Sequence, residues 1–413
     1  MKKLNYLLIA IFTLGLATSC DSSDPAIIDE DDNQSGTTIT KAGLITANET
    51  WTADNIYVLS GKVVVNEGVT LTIEPGTIIK GAEGQGSLAS ALVIDQGGKI
   101  MAEGTADKPI IFTSVLDNIT VGQKKGSNLT IANVGLWGGV IVLGKAPISV
   151  SGDLETKQIE GIPATDSFGQ YGGSIANDNS GVLKYISIRH GGITIGSDNE
   201  INGLTLGGVG SGTTIDHIEV VANQDDAIEW FGGTVNVTNV VTYAQGDDAI
   251  DADEAWSGTL DNALVIMGAD SDSALELDGP AGSAATEAGY TIKNVTLKGA
   301  GASSVSKYAD LRDGLIANLQ NILAYDFGPT SVVKVNGADS ATELAAGRIT
   351  FLKWEIVLPA GVTSVSSLIT GANAGDDTKF TNNATAITAA SAATVGANTA
   401  VFSWTYAKSV SAF

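Results

Sequence analysis

A column of polar residues, repeated at the length of one solenoid coil, constrains the fold of this chain more than any other feature. Five segments align on one position, each continuing into an apolar run: TTIDHIEV, VNVTNVVT, LDNALVIM, TIKNVTLK and LQNILAYD. Spacings of 22, 23, 32 and 27 residues separate the aligned positions. A fixed local pattern at unequal spacing is typical of stacked coils whose strands keep register while their loops vary. The column is His217, Asn239, Asn262, Asn294 and Asn321, with Tyr185 as an earlier member.

This column distinguishes between the all-β architectures. Short alternating runs rich in β-branched residues, closed by Gly, Asn or Asp, indicate strands from about Leu44 onward. Stacked asparagines can bond to one another and to turn backbone, whereas a propeller needs longer four-stranded units and a sandwich has no reason to keep one Asn column. The sequence therefore predicts a right-handed parallel β-helix over 44–340 and final coils with a C-terminal cap over 341–413.

A family resemblance points to the same fold. The segment GVTLTIEPGTIIKG, from Gly68 to Gly81, resembles the opening coils of pectin-lyase-like bacterial surface proteins. Solenoids need capped ends. We expect Trp51 with Tyr57 to cap the start and the aromatic tail FSWTYAKSVSAF to cap the end.

The N-terminal residues indicate export. Two lysines precede an apolar run from Leu7 to Ala17, and the small residues after it end at Cys20, the only cysteine. This pattern predicts a signal peptide over 1–19 and resembles the bacterial lipobox, which implies that Cys20 is lipidated. The alternative is an ordinary signal peptide followed by a stray free thiol.

The acidic stretch over 20–43 predicts a flexible tether. It resembles the surface-export signal of Bacteroidota-type lipoproteins, which implies a lipid-anchored protein on the outer face of the outer membrane. A periplasm-facing lipoprotein is the alternative. The membrane would be contacted through the lipid alone, because no other apolar run is long enough to span a bilayer.

Charge excludes one large class of function. The chain has 46 acidic and 22 basic residues among 413, a formal charge of -24, which excludes nucleic-acid binding by charge neutralisation. Its 43% apolar content is sufficient for a large core. Between Arg189 and Lys293 lie 18 acidic residues and no Lys or Arg.

Three acidic boxes, DDAIE, DDAID and DSALE, repeat within that interval. Stacking would place their carboxylates in columns about 5 Å apart, where they repel unless a cation lies between them or some hold a proton. Calcium accepts many carboxylate oxygens in flexible geometry and is the predicted cofactor. The alternative is a solvated outer face screened by salt. The two columns are Asp225, Asp247 and Asp272, and Glu229, Asp251 and Glu276.

The segments NQDDAI and QGDDAI resemble the aspartate motifs of polygalacturonases, glycoside hydrolases built on the same helix. The resemblance implies that Asp226, Asp247 and Asp248 activate water and protonate the leaving oxygen. The family's later G-H-G and R-I-K motifs are missing, since the two histidines, His190 and His217, both precede the aspartates. Strand alternation would also direct Asp226 toward the core unless a turn intervenes.

Trp230 and Trp256 follow the first two acidic boxes and could form a stacking platform for sugar rings, or could instead close coils by packing under loops. The leading hypothesis is a non-enzymatic surface lipoprotein: a β-helix rod that binds calcium, and a polysaccharide or an outer-membrane protein, through its acidic middle coils. The rival hypothesis is a polysaccharide-cleaving hydrolase or lyase using the clustered aspartates.

Overall fold

The computed structural model of the chain describes residues 36–196, 199–280, 282–283 and 289–413. The predicted signal peptide, Cys20 and the first part of the predicted tether lie outside these ranges. The fold is the predicted right-handed parallel β-helix, in which nearly every strand pairs in parallel with a strand one coil away. No helix in the described ranges is long and apolar enough to cross a membrane.

The first coils combine the long bent strands β1 and β3 with shorter strands, and together they form three faces. Gly43 and Gly61 adopt φ values of 66° and 67°, which bend the first and third strands so that each crosses two faces. The strands are β1 (Thr37–Ile45), β2 (Glu49–Trp51), β3 (Asn55–Val65), β4 (Thr70–Ile73), β5 (Ile78–Gly81), β6 (Ala91–Ile94), β7 (Lys99–Glu103), β8 (Ile110–Ser114) and β9 (Val140–Leu143).

Later coils each contain one long bent strand and one short strand. The long strands are β12 (Gly181–Arg189), β16 (Thr214–Val221), β18 (Val237–Tyr243), β20 (Thr259–Ile266), β22 (Tyr290–Lys298), β24 (Ala317–Tyr325) and β26 (Ile349–Val357). The four-residue strand β28 (Ala384–Ile387) pairs only with the second half of β26. The short strands are β15 (Leu204–Gly207), β17 (Ile228–Phe231), β19 (Ile250–Asp253), β21 (Glu276–Leu277), β23 (Ala309–Leu311), β25 (Val333–Val335) and β27 (Ile369–Thr370).

Three faces run along the rod. Sheet A contains β2, β4, β7 and the first halves of the long strands. Sheet B contains β5, β8 and the second halves of the long strands. Sheet C contains β6, β9 and all the later short strands.

The predicted polar column forms the corner between sheets A and B. All six predicted members adopt left-handed φ values, from 51° at Tyr185 to 68° at Asn262, and Lys353 extends the column at 56°. The Asn262 Nδ2 donates to Asn239 Oδ1 at 2.6 Å, and the Asn321 Nδ2 donates to Asn294 Oδ1 at 3.0 Å. The ladder prediction is confirmed for these two pairs, whereas Asn239 and Asn294 donate instead to Asp216 and Asp261.

Each left-handed residue also resets the alternation of its strand. In β22, Ile292 is buried, Lys293 is partly exposed, and Val295 is buried again directly after the bend at Asn294. The bend therefore lets one strand direct apolar side chains inward on two faces. Trp51 and Tyr57, predicted to cap the start, stack inside the first coils with ring centroids 4.8 Å apart.

A long excursion over 144–180 covers the upper part of sheet C. It contains the antiparallel pair β10 (Lys157–Gln158) and β11 (Gln170–Tyr171) and packs apolar residues, including Ile159 and Ile162, on the outward residues Val93 and Ile141. The Tyr171 hydroxyl donates to Glu254 Oε1 at 2.8 Å, which attaches the excursion to a middle coil. A second antiparallel pair, β13 (Thr194–Gly196) and β14 (Asn199–Glu200), lies between β12 and β15.

The α-helices of the described residues lie toward the C-terminal end: α1 (Gly337–Ala346), α2 (Thr378–Thr381) and α3 (Tyr406–Ser409). Helix α1 buries Ala341 and Leu344 against the last coils and ends at Gly347, which has φ 74°. Phe380 of α2 contacts Trp354 in the same region, with ring centroids 5.5 Å apart.

One predicted boundary and one predicted cap were wrong. Strand β1 begins at Thr37, inside the predicted tether, because its residues pair with β3. The aromatic tail does not cap the end of the rod. Residues 394–413, here called the C-terminal strap, run back along sheet B: Thr394 N donates to Glu355, Ala397 N donates to Thr296 Oγ1 at 2.9 Å, and Phe402 packs on Val241 and Leu264.

The strap is fastened by a buried ion pair. Glu219 is fully buried and accepts from Tyr406 N at 3.0 Å, from Ala407 N at 2.9 Å and from Ser187 Oγ at 2.6 Å. Arg189, 2% exposed, lies 3.9 Å from the Glu219 carboxylate. A carboxylate that satisfies four groups at once stabilises both the sheet and the strap.

Replacing Glu219 with Gln should destabilise the protein by about 3–5 kcal/mol, because the buried Arg189 charge loses its partner. We expect a fall of about 5–10 °C in Tm and faster proteolysis within the strap. Thermal unfolding and limited proteolysis measure both effects. The matched control is Glu67→Gln, since the Glu67 side chain is 70% exposed in its pair with Lys145 and should change Tm little. Equal Tm values for the two variants would contradict the fastening role.

Candidate functional site: an acidic cavity on sheet C

One outward-facing column of sheet C changes character along the rod. Register places aliphatic residues at its top, a threonine next, four carboxylates below, and a lysine at the bottom. The column reads Val64, Val93, Ile141, Thr205, Glu229, Asp251, Glu276, Asp310 and Lys334. The excursion covers the aliphatic part, so the open part of this face is acidic.

The upper carboxylates line a cavity of about 570 Å³. None of the nine described residues that line it is basic, and seven carry a carboxyl group. Glu160 comes from the excursion, Glu200 from β14, and the others from the turns and short strands of two neighbouring coils. The carboxyl-bearing residues are Glu160, Glu200, Asp225, Asp226, Glu229, Asp247 and Asp251.

Carboxylates converge in three overlapping groups, within each of which one ligand oxygen per residue lies within 4.8 Å of the others. The first contains Asp225, Asp226 and Asp247, and the second contains Asp226, Glu229 and Asp251. All three members of the second group are buried. The third group contains Asp247, Asp248 and Asp272.

Two of these carboxylates also hold neighbouring coils in register. The Asp226 Oδ1 accepts from Asp248 N at 2.8 Å, and the Asp248 Oδ1 accepts from Ser273 N at 2.5 Å. A turn before β17 separates Asp226 from the inward residue Ile228, which resolves the conflict that strand alternation raised. Each carboxylate therefore accepts a backbone hydrogen bond from the next coil and also belongs to a converging group.

Burial and mutual repulsion raise the pKa of these carboxyls. Burial is the larger cause and the adjacent carboxylates are the next, and together they raise the pKa of Asp225 and of Asp248 to about 7. The pKa values of Asp226, Glu229 and Asp251 are also raised, again chiefly by burial. The charged cavity is therefore costly at neutral pH unless a cation compensates it.

Among the carboxylates that line the cavity, one buried oxygen has no hydrogen-bond partner. Asp251 is 8% exposed, and its Oδ1 has no hydrogen-bond partner. Its neighbour Glu229 accepts a hydrogen bond from Asn202 Nδ2. Buried acceptors are normally satisfied by protein, water or an ion.

In the lower coils, basic residues neutralise the negative charge of the carboxylates. The sequence interpretation does not connect these basic residues to the acidic boxes. Lys307 Nζ lies 2.5 Å from Asp272 Oδ2 and 3.3 Å from Asp310 Oδ2. Arg312 forms ion pairs with Glu276 and Asp278. The predicted columns exist, but Glu276 belongs to none of the converging groups, and the uncompensated carboxylates are confined to the upper coils.

The predicted tryptophan platform is wrong. Trp230 and Trp256 are fully buried and stack on each other inside the helix, with ring centroids 4.8 Å apart. Alternation explains this placement, since Trp230 follows the outward residue Glu229 in β17 and therefore points inward. Neither ring can stack on a ligand.

The three aspartates implied by the polygalacturonase resemblance do come together. Asp226 and Asp247 share one converging group, and Asp247 and Asp248 share another. Neither histidine lines the cavity: His190 is buried with its Nδ1 2.7 Å from Asn133 O, and His217 stacks on Tyr185 in the polar column.

Three residues of the cavity are not predicted as cation ligands from the sequence. Glu160 and Glu200 come from segments without a repeat pattern, although Glu200 lies in the interval that has no Lys or Arg. The sequence pattern predicts a catalytic role for Asp226 but not cation binding. Its position one residue after Asp225 in a turn lets both carboxylates face the same cavity.

The fold and this cavity define a parallel β-helix with an acidic outer face. The chain belongs to the pectate-lyase-like beta-helix domain family, whose model matches residues 43–409. Among solved structures, it is similar to the pectin methylesterase from Aspergillus niger, at 12% identity and a TM-score of 0.34, over 86% of this chain and 93% of that one. The comparison with curated proteins finds no match.

The raised pKa values predict an unusual dependence of stability on pH. A carboxyl with a higher pKa in the folded state binds its proton more tightly there, so stability falls as pH rises from the unfolded pKa near 4 through the folded pKa. For Asp225 and Asp248 this window ends at about 7. With a chelator present, Tm should therefore fall by several degrees between pH 5 and pH 8.

Asp225→Asn and Asp248→Asn should flatten that dependence, because an amide cannot ionise. Thermal melts at half-unit pH steps measure it. The control is Asp107→Asn, at an exposed position on another part of the rod. A chelated wild type whose Tm rises steadily from pH 5 to pH 8 would contradict the prediction.

Proposed function

We propose that this chain is a non-enzymatic surface lipoprotein whose β-helix rod binds calcium in the acidic cavity and, through it, an acidic polysaccharide. The lipid on Cys20 would anchor the rod to the outer face of the outer membrane. The observation that carries the proposal is the convergence of two carboxylate groups in a cavity whose described lining residues include no basic side chain. The first group is Asp225, Asp226 and Asp247, and the second is Asp226, Glu229 and Asp251.

Calcium suits the spacing of these oxygens. It takes six to eight oxygen ligands at about 2.3–2.6 Å, so two oxygens on opposite sides of one ion lie roughly 4.8 Å apart. The oxygens of each converging group fall within that span. The second group adds burial and the unpartnered Asp251 oxygen, which favours it as the tightest position.

A bound cation would also determine whether the cavity attracts an acidic or a neutral polysaccharide. Seven carboxyl groups repel an anionic chain, whereas bound calcium reverses the local charge and has coordination positions left for ligand oxygens. This reasoning favours an acidic polysaccharide over a neutral one. An outer-membrane protein that presents carboxylates to the same ions is the other partner consistent with the cavity.

Calcium titration by isothermal calorimetry tests the first step. Wild type should bind calcium saturably at pH 7.5, and Asp251→Asn or Glu229→Gln should weaken that affinity at least tenfold, because each removes a charged ligand from the buried group. Asp107→Asn is the control and should bind as wild type does. Absence of saturable binding in wild type, or unchanged affinity in both cavity variants, would refute the calcium site.

Polysaccharide cleavage is the second candidate, favoured by the convergence of Asp226, Asp247 and Asp248 and by the raised pKa of about 7 at Asp248. The test is release of reducing ends or unsaturated uronides from a polysaccharide panel with calcium present. Release that disappears in Asp226→Asn and Asp248→Asn would make the protein an enzyme. No release from any substrate would leave binding as the function.

A further inference from the structure

The turn that carries Asp226 recurs on four consecutive coils of sheet C. The four copies read DDAIE, DDAID, DSALE and SKYAD and begin at residues 225, 247, 272 and 306. Equivalent backbone hydrogen bonds of 3.0 Å join successive copies: Ala227 N donates to Asp248 O, Ala249 N to Ser273 O, and Ala274 N to Lys307 O. The second position of this turn is therefore Asp226, Asp248, Ser273 and Lys307 in order along the rod.

Because the turn repeats, one converging group of carboxylates repeats as well. The upper group uses the first two positions of one turn and the first position of the next turn, and the lower group is the same arrangement one coil further along. The upper group contains Asp225, Asp226 and Asp247, and the lower group contains Asp247, Asp248 and Asp272. The two groups are therefore equivalent by the repeat, and Asp247 belongs to both.

The lower group already has a cation beside it. Lys307 Nζ lies 2.5 Å from Asp272 Oδ2, and it donates to Ser273 Oγ at 3.3 Å. Burial and the neighbouring Asp272 raise the pKa of Asp247, whereas the charge of Lys307 lowers it, so the ammonium group acts on more than one member of the lower group. The upper group lines the acidic cavity, where no described lining residue is basic.

We propose that Lys307 is the resident counter-ion of the lower group and confines exchangeable calcium to the acidic cavity above it. This inference rests on the proposed calcium binding and adds the residue that limits where ions bind. The lower group supports the assignment of the cavity in return, because the same arrangement of carboxylates is neutralised there by a positive charge. The chain supplies that charge in one copy of the repeat and leaves it to an ion in the other.

An ammonium group at this position excludes a metal ion for two reasons. Its charge repels a second cation bound close by, and it occupies oxygens of Asp272 and Ser273 that an ion would need. Without the ammonium group, the lower group would offer three carboxylates and the Ser273 hydroxyl, which are oxygen ligands that calcium accepts. Removing Lys307 should therefore turn the lower group into an additional calcium site.

The experiment counts calcium ions per full chain at pH 7.5, by isothermal calorimetry and equilibrium dialysis. Lys307→Met removes the charge and keeps a side chain of similar length, and this variant should bind one calcium ion more than wild type does. In a chelator its Tm should be lower than that of wild type, because the carboxylates of the lower group lose their partner. Calcium should then raise the Tm of this variant by more than it raises the Tm of wild type.

The matched control is Lys334→Met. Lys334 carries the same charge on the same face and lies 3.5 Å from Asp310 Oδ2, and among the ion pairs of the described residues it has none with the lower group. Lys334→Met should therefore bind as many calcium ions as wild type. Lys307→Arg retains the positive charge and should also bind the wild-type number.

A double variant separates a new ion site from a change in net charge. Lys307→Met with Asp272→Asn has the net charge of wild type and lacks one carboxylate of the lower group, so it should not bind the additional ion. Calcium should refold Lys307→Met if that variant is unfolded in the chelator, and failure of calcium to do so would contradict the inference.

The outcomes distinguish this inference from the proposed function. If wild type binds calcium and Lys307→Met binds no additional ion, or if Lys334→Met gains an ion equally, the role of Lys307 is overturned while the proposed calcium binding stands. Absence of calcium binding in wild type refutes the proposed calcium site and this inference together.

Discussion

The left-handed residue at the corner between sheets A and B is the constraint on which the rest of the structure depends. Asparagine tolerates this conformation better than most residues with a side chain, and its amide bonds to the next coil. The bend restarts the inward and outward alternation on the following face, so it decides which side chains of each long strand enter the core. A strict column at this position therefore keeps the stacked coils in register while loops of very different length leave them.

Register then turns a local sequence pattern into a collective electrostatic property. On sheet C, residues that repeat from coil to coil become neighbours, so Glu229, Asp251 and Glu276 form a line of like charges. Lower coils offset this repulsion with Arg312 and Lys307, whereas the upper coils leave it uncompensated. The same alternation that directs Glu229 outward directs Trp230 into the core, where its ring stabilises the rod.

Sequence periodicity is sufficient to predict the polar column, the parallel β-helix and the stacking of the acidic boxes, because each of them depends on residues one coil apart. It did not predict the excursion or the strap, since their positions depend on contacts such as Tyr171 with Glu254 and Tyr406 with Glu219, between residues 83 and 187 positions apart. Strand alternation alone places Trp230 inside the helix, because adjacent strand residues face opposite sides and Glu229 faces outward. Glu160 could not be placed in the cavity without the path of the excursion.

The outward polar residues of sheets B and C are placed by the same strand alternation but have different partners. On sheet B the outward residues Glu219, Thr296 and Glu355 each accept a hydrogen bond from a backbone amide of the strap. Their polar groups therefore already have partners within the fold. On sheet C no backbone amide of the described residues donates to Glu229 or Asp251, and the raised pKa values of Asp225 and Asp248 predict that the folded chain is less stable above pH 7 than a neutral face would make it. A purely structural coil gains nothing from that cost, whereas a face that binds cations recovers it on binding. The acidic cavity on sheet C is therefore where a function is to be sought.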